Sequence, residues 1–142
     1  MTVAAILANR TGDTLTARRD MTVRDAVAIL AERKIGALPV VEGDKVVGVM
    51  SERDVIYCLA RDGAPILDWP IEKIMTAPAI TVEADKTVLS ALSLMTSRRI
   101  RHLPVVDGKS LIGIVSIGDL VKYRLDKIEE EAAQMLNYIQ SA

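Results

Sequence analysis

The chain has 142 residues, half of them apolar, with 18 basic and 19 acidic side chains and a formal charge of −1. A charge so near zero leaves no field to draw it to nucleic acid or anionic lipid, so neither is an expected partner. A single cysteine and a single histidine exclude an internal disulfide and any site built on clustered Cys or His.

In chain order, MTVAAILANRTGD lacks the basic start and long apolar stretch of a signal peptide, so the expected location is cytoplasmic. No apolar run nears the roughly 20 residues that cross a bilayer. Val3 to Leu7 predict a short helix or strand packed on the first of two repeats, Gly12-Asp13 a turn, and Leu15 to Ala17 a short strand. Thr22, with Asp25 three residues on, reads as an N-cap. Val23, Ala26, Val27, Ile29 and Leu30 follow at helical spacing and predict a helix over 23–34, ended by Gly36. Ala37–Val41 and Lys45–Met50 are β-branched runs joined by Glu42-Gly43-Asp44, a hairpin signal. Ser51 caps a further helix to about Arg61, and Asp62-Gly63-Ala64-Pro65 breaks it. A linker over 64–78 follows.

The same order then recurs: Ile80–Val82 as a strand, Thr87 capping a helix to about Arg99, and Leu103–Val106 paired with Leu111–Val115 through Asp107-Gly108-Lys109. The recurrence is literal. RKIGALPVVEGDKVVGVMSERD over 33–54 aligns without gaps on RRIRHLPVVDGKSLIGIVSIGD over 98–119, at a spacing of 65 positions. Upstream, Thr16, Asp20, Thr22, Val23 and Ala26 meet Thr81, Asp85, Thr87, Val88 and Ala91 at that spacing. The chain is an internal duplication. A three-stranded sheet with helices on one face leaves the other face wet, so the two copies should pack sheet to sheet. With no Phe, one Trp and three Tyr, the core must be aliphatic.

A strand, helix, h-P-V-V strand, hairpin and G-h-h-S-x-x-D helix start resembles the cystathionine β-synthase (CBS) domain. The tandem pair resembles the Bateman module, and Ile74-Met75-Thr76 matches the usual opening of a copy. The resemblance implies an α/β (α+β) fold of two pseudo-twofold β-α-β-β-α repeats packed through their sheets. It divides the single module 1–142 into a first repeat over 6–63, the linker and a second-repeat core over 79–122. A long helix over 119–140 ends the chain. The resemblance is to stand-alone two-motif bacterial members, and it implies an adenosine-type ligand (AMP, ATP or NAD, or S-adenosylmethionine) in clefts between the copies.

Taken locally, Ser51-x-x-Asp54 and Ser116-x-x-Asp119 are helix caps, worth about 1 kcal/mol each. The same geometry also turns free N–H groups and partial positive charge toward a phosphate, while an ionised Asp accepts from vicinal ribose hydroxyls. The resemblance turns the balance to ligand contact: Ser51, Arg53, Asp54, Ser116, Gly118 and Asp119 for ribose and phosphate. It adds Arg99, Arg101 and His102 as phosphate cations, and Thr16, Gly36, Ala37, Pro39, Met75, Thr81 and Pro104 around adenine. If each Ser/Asp helix start faces the strand entry of the other copy, Ser51 and Asp54 face Arg101 and His102, whereas Ser116 and Asp119 face Gly36 and Ala37. Phosphate-bearing ligands should then prefer the first cleft.

No GxGxxG or GxxxxGK[ST] run occurs, so neither a dinucleotide fingerprint nor a P-loop is expected. Cys58 in an apolar helix reads as core, and Trp69 beside Pro70 as an anchor for the linker. Val121, Leu125, Ile128, Ala132, Met135 and Ile139 are spaced as an a/d seam. That seam either folds back on its own repeat or meets a second subunit, and Bateman modules commonly pair into disc-like dimers. A homodimer is therefore expected, with any regulated protein unnamed. The expected function is a nucleotide-sensing regulatory module with no chemistry, no catalytic residue, no catalytic cofactor and no metal. The alternative is a small enzyme acting on a nucleotide.

Overall fold

The computed structural model describes residues 1–10 and 14–141, so the turn expected at Gly12-Asp13 lies outside the described residues. The elements run α1 (Val3–Ala8), α2 (Val23–Arg33), β1 (Ala37–Glu42), β2 (Lys45–Ser51), α3 (Glu52–Asp62), β3 (Val82–Glu83), α4 (Val88–Arg98), β4 (His102–Asp107), β5 (Ser110–Ser116) and α5 (Ile117–Ser141). They form two repeats packed through their sheets, with β2 against β5 and the Leu111 N–H donating to the Asp44 carbonyl at 3.2 Å.

Corresponding helices form for corresponding reasons. The Thr22 hydroxyl accepts from the Asp25 N–H at 3.1 Å, and the Thr87 hydroxyl from the Ser90 N–H at 3.0 Å. Val23, Ala26 and Leu30 point inward from α2, and Val88, Ala91 and Met95 from α4, in the i, i+3, i+7 pattern of one buried face. α2 ends at Arg33, one residue short of the expected end, and α4 at Arg98, close to the expected end at about Arg99. Lys34 and Arg99 take the left-handed turn, with φ of 53° and 55°, and Gly36 does not end α2. Gly36 meets a different demand, since a Cβ there would lie 2.9 Å from the His102 ring.

The hairpins are superimposable in register. Ala37 pairs with Ser51 and Glu42 with Lys45, as His102 does with Ser116 and Asp107 with Ser110. Gly43 and Gly108 lead their two-residue loops at φ of 63° and 64°, which favours glycine. The third strands are shorter than expected. β3 starts at Val82 and runs parallel to β4, and in the first copy Ala17 alone bridges to Val40. Leu15 and Ile80 leave the ladder and line clefts between the repeats.

The segment leading into each copy packs in the other copy. Val3 and Ile6 of α1 join Val88, Met95, Leu103 and Leu120 in the second core. The Val3 and Ala4 N–H groups donate to the carbonyls of Lys86 and Ala84 at 2.9 and 3.0 Å. This corrects the expectation that the N-terminal segment packs on the first repeat. Ile66, Ile71 and Ile74, in and beside two 3₁₀ turns, complete the first core with Leu30, Leu38 and Met50. In tandem copies each leading segment packs on the copy before it, and twofold closure makes the second copy the predecessor of the first. Ile6 and Ile71, one repeat spacing apart, are both buried.

α5 has 25 residues, roughly 37 Å of helix. Its first turns dock through the buried Leu120 and the half-buried Tyr123. Beyond them Leu125, Ile128, Met135 and Ile139 are 45–63% exposed, so the seam does not fold back on its own repeat.

Two glycines mark where the leading segments cross the hairpins. A Cβ on Gly48 would lie 2.7 Å from the Met75 sulfur and 2.9 Å from the Thr76 carbonyl, whereas one on Gly113 meets only the Leu7 side chain, at 2.8 Å. Gly48→Ala should therefore lower the unfolding free energy by about 1–3 kcal/mol, and Gly113→Ala by less, because a side chain yields more easily than backbone. Urea denaturation of both variants checks this. Equal costs would show that the Met75–Thr76 backbone gives way as readily as Leu7.

Candidate functional site

Among the clefts that the described residues form between the repeats, two are each walled by the hairpin end and helix start of one copy and the strand entry of the other. The first, about 210 Å³, is lined by Val49, Ser51, Glu52, Arg53, Asp54 and Thr76 on one side. Ala79, Ile80, Ile100, Arg101 and His102 face them. Ser51 and Asp54 form a reciprocal cap: the Asp54 N–H donates to Ser51 Oγ at 3.3 Å, and the Ser51 N–H to Asp54 Oδ2 at 2.9 Å. The Ser51 hydroxyl also donates to Oδ2, at 3.1 Å. Thr76, delivered by the leading segment of the second copy, donates its hydroxyl to Asp54 Oδ1 at 3.2 Å.

The second cleft, about 510 Å³, repeats this plan with Ile114, Val115, Ser116 and Asp119 opposite Thr14, Leu15, Ile35, Gly36 and Ala37. The Ser116 N–H donates to Asp119 Oδ2 at 2.8 Å, and the Asp119 N–H to Ser116 Oγ at 3.1 Å. Here the leading segment delivers a charge. Arg10 donates to both the Asp119 carboxylate and the Ile114 carbonyl. Burial pushes the Asp119 carboxyl up, but the Ser116 N–H and the Arg10 guanidinium outweigh it and hold the group below its ordinary value.

His102 stands between the clefts and borders both, with its ring on Gly36. Burial pushes its pKa below 6.5, against the charges of Glu52 and Asp119 and together with those of Arg101 and Arg53. At neutral pH it offers a hydrogen-bonding nitrogen and no charge.

Comparison with known proteins decides what this arrangement is. The CBS domain pattern matches residues 5–61 and again 71–126. The chain belongs to the CBS-domain family. It is 38% identical over 134 residues to the mitochondrial CBS domain-containing protein CBSX3 of Arabidopsis thaliana, covering 91% of this chain and 65% of that one. It thus spans less than two-thirds of that relative. A CBS-domain protein of Burkholderia ambifaria superimposes with a TM-score of 0.83 at 40% identity, over 89% of this chain and 95% of that one. The CBS pair of protein MJ0100, in complex with 5′-methylthioadenosine and S-adenosyl-L-methionine, gives 0.79 at 29%, over 89% and 98%. PAE2072 of Pyrobaculum aerophilum, complexed with AMP, gives 0.75 at 26%, over 84% and 89%.

Of the residues singled out from sequence, Ser51, Arg53, Asp54 and Arg101 line the first cleft of this CBS pair, Gly36, Ala37, Ser116 and Asp119 the second, and His102 both, while the others line neither. Arg99 caps α4, and its carbonyl accepts from Arg53 Nη1 at 3.1 Å. Gly118 is exposed on the first turn of α5, Thr16 is exposed, and Thr81 is half-buried outside both linings. Pro39 and Pro104 are buried within β1 and β4, while Met75 packs over Gly48.

The expected inequality of the clefts rested on a second cleft without side-chain cations, and the structure corrects it. Among the described residues, Arg10 and Lys34 line that cleft against one carboxylate, Asp119. In the first, Arg53 and Arg101 stand against two, Glu52 and Asp54. Arg10 was missed because it belongs to the segment expected to pack on the first repeat. Thr14 and Leu15 could have been found, since they occupy the positions of Ala79 and Ile80 at the 65-residue spacing.

A histidine with a lowered folded pKa binds its proton more weakly folded than unfolded. Its contribution to stability is therefore full above about 6.5 and declines as pH falls from there through the folded value. Asp119, held low, contributes above the ordinary carboxylate range and is lost only at stronger acid. His102→Gln should flatten the melting temperature between about pH 7 and 5 and leave the limb below pH 4 in place. Thermal melts across pH check this. An unchanged slope between pH 7 and 5 would show that another group carries it.

Proposed function

We propose that this CBS pair is an adenosine-nucleotide-binding regulatory module with no chemistry of its own. It takes AMP-, ATP- or NAD-type ligands in the clefts between its repeats. The observation that carries the reading is the repeated juxtaposition of a Ser/Asp helix start on one copy with the strand entry of the other. The ribose hydroxyls bond to Asp54 or Asp119, the phosphate meets the α3 or α5 N-terminus, and apolar residues such as Ile80 and Ile100 contact the base. The complexes of MJ0100 and PAE2072 with adenosine compounds support this.

Signalling follows from placement. A ligand held by both repeats binds best at one relative position of the two and so draws the pair toward it. The first cleft, at about 210 Å³, is below the roughly 300–1,000 Å³ usual for ligand pockets. A nucleotide entering it moves its walls apart. The readout is assembly: the exposed seam of α5 pairs with that of a second copy, giving a homodimer whose geometry follows the clefts.

AMP at about a hundredfold excess over its dissociation constant should raise the unfolding free energy by about 2.7 kcal/mol. In the double variant Asp54→Asn, Asp119→Asn this gain should vanish while circular dichroism stays that of the folded chain. AMP stabilisation undiminished in the double variant would remove both carboxylates from the ribose.

For assembly, light scattering at micromolar concentration should give a dimer, and truncation after Lys122 should weaken it at least tenfold. A dimer of unchanged strength after truncation would place the interface elsewhere.

A further inference from the structure

Position 10 breaks the duplication. At the 65-residue spacing Arg10 corresponds to Met75, an apolar side chain packed over Gly48 in the first repeat. Arg10 instead reaches β5 and α5 from the end of α1, placing one guanidinium nitrogen on the Ile114 carbonyl and the other on Asp119 Oδ2. That oxygen belongs to the carboxylate assigned above to the ribose. On Asp54 the leading segment contributes the uncharged Thr76 hydroxyl, which bonds to the other oxygen, Oδ1, and whose counterpart Thr11 lies outside the described residues. Arg10 and Asp119 are 38% and 37% exposed, so the pair borders open cleft and is not sealed in the core. Lys34 adds a second cation to the same lining.

We propose that Arg10 sets the ligand specificity of the second cleft, pairing with Asp119 when the cleft is empty and with the phosphate of a nucleotide when it is filled. The proposal rests on the nucleotide-binding reading. An uncharged nucleoside that takes Asp119 for its ribose gains nothing from the freed Arg10. A phosphorylated ligand replaces one anion with another, and the planar guanidinium can hold a phosphate through two parallel hydrogen bonds. Because an exposed ion pair is weak, Arg10 leaves Asp119 at little cost. The second cleft therefore selects phosphorylated over unphosphorylated adenosine compounds. The first, with two cations against two carboxylates, discriminates less.

The test is calorimetric titration of AMP and adenosine into the full chain carrying Asp54→Asn, which weakens the first cleft. Arg10 is then kept, or replaced as Arg10→Met or Arg10→Lys. With Arg10 kept, AMP should bind at least tenfold more tightly than adenosine. Arg10→Met should weaken AMP by about ten- to a hundredfold and leave adenosine unchanged or tighter, and Arg10→Lys should restore part of the AMP affinity. Equal losses for both ligands would overturn the proposal and make Arg10 a support of the fold. Gains for both would overturn it too, making Arg10 a plug against any ligand. If neither ligand binds even the unmutated chain, the nucleotide reading itself fails. An AMP preference that survives Arg10→Met sinks only the role of Arg10.

Discussion

Ile66, Ile71 and Ile74 close the core of the first repeat, and Val3 and Ile6 close that of the second. Each copy thus holds a segment that leads into the other. Fully burying one such side chain contributes roughly 1.5–3 kcal/mol, so separating the repeats would open two cores at once. The exchange also sets what each cleft contains. A leading segment, having packed in one core, must cross the hairpin of that repeat to reach its own copy, and it passes the helix start on the way. Thr76 arrives at Asp54 in this manner, and Arg10 at Asp119. Gly48 and Gly113 lie under the crossings because a side chain there would occupy the same space.

The caps are complete before any ligand arrives. Both oxygens of Asp54 accept hydrogen bonds, Oδ2 from Ser51 and Oδ1 from Thr76. A ribose that binds this carboxylate therefore shares it or displaces Thr76. It cannot displace the Ser51 N–H without uncapping α3. A carboxylate oxygen has more than one lone pair to offer, so sharing is the cheaper course. Capping and the proposed ligand contact use one arrangement, which is why the local Ser-x-x-Asp pattern could not by itself tell them apart.

Much of the fold was legible because duplication supplies two readings of each element. Thr22 and Thr87, Ser51 and Ser116, and Gly43 and Gly108 each confirm the other, and their caps and loops form as the residues dictate. What was not legible depends on closure in space. The 65-residue spacing aligns Ile6 with Ile71, yet it says nothing of which core receives either. That one ambiguity hid Arg10 from the second cleft. The stop of α2 was misassigned for a local reason, since Lys34 takes a left-handed conformation that side chains adopt at some cost. Gly36 was expected to end the helix, but it was already required beneath the His102 ring.

That ring shows why the two clefts cannot be treated as separate sites. His102 enters β4 at the position where the first copy has Ala37, and with no small counterpart it fills the space over Gly36 and borders both linings. A group that shifts the imidazole from one side changes the wall of the other cleft. Such coupling is reciprocal in free energy: whatever the first ligand does to the second, the second does to the first. The pseudo-twofold symmetry is broken at the wall the clefts share and again at Arg10. The duplicated chain thus holds two clefts that differ in charge and volume and share one side chain.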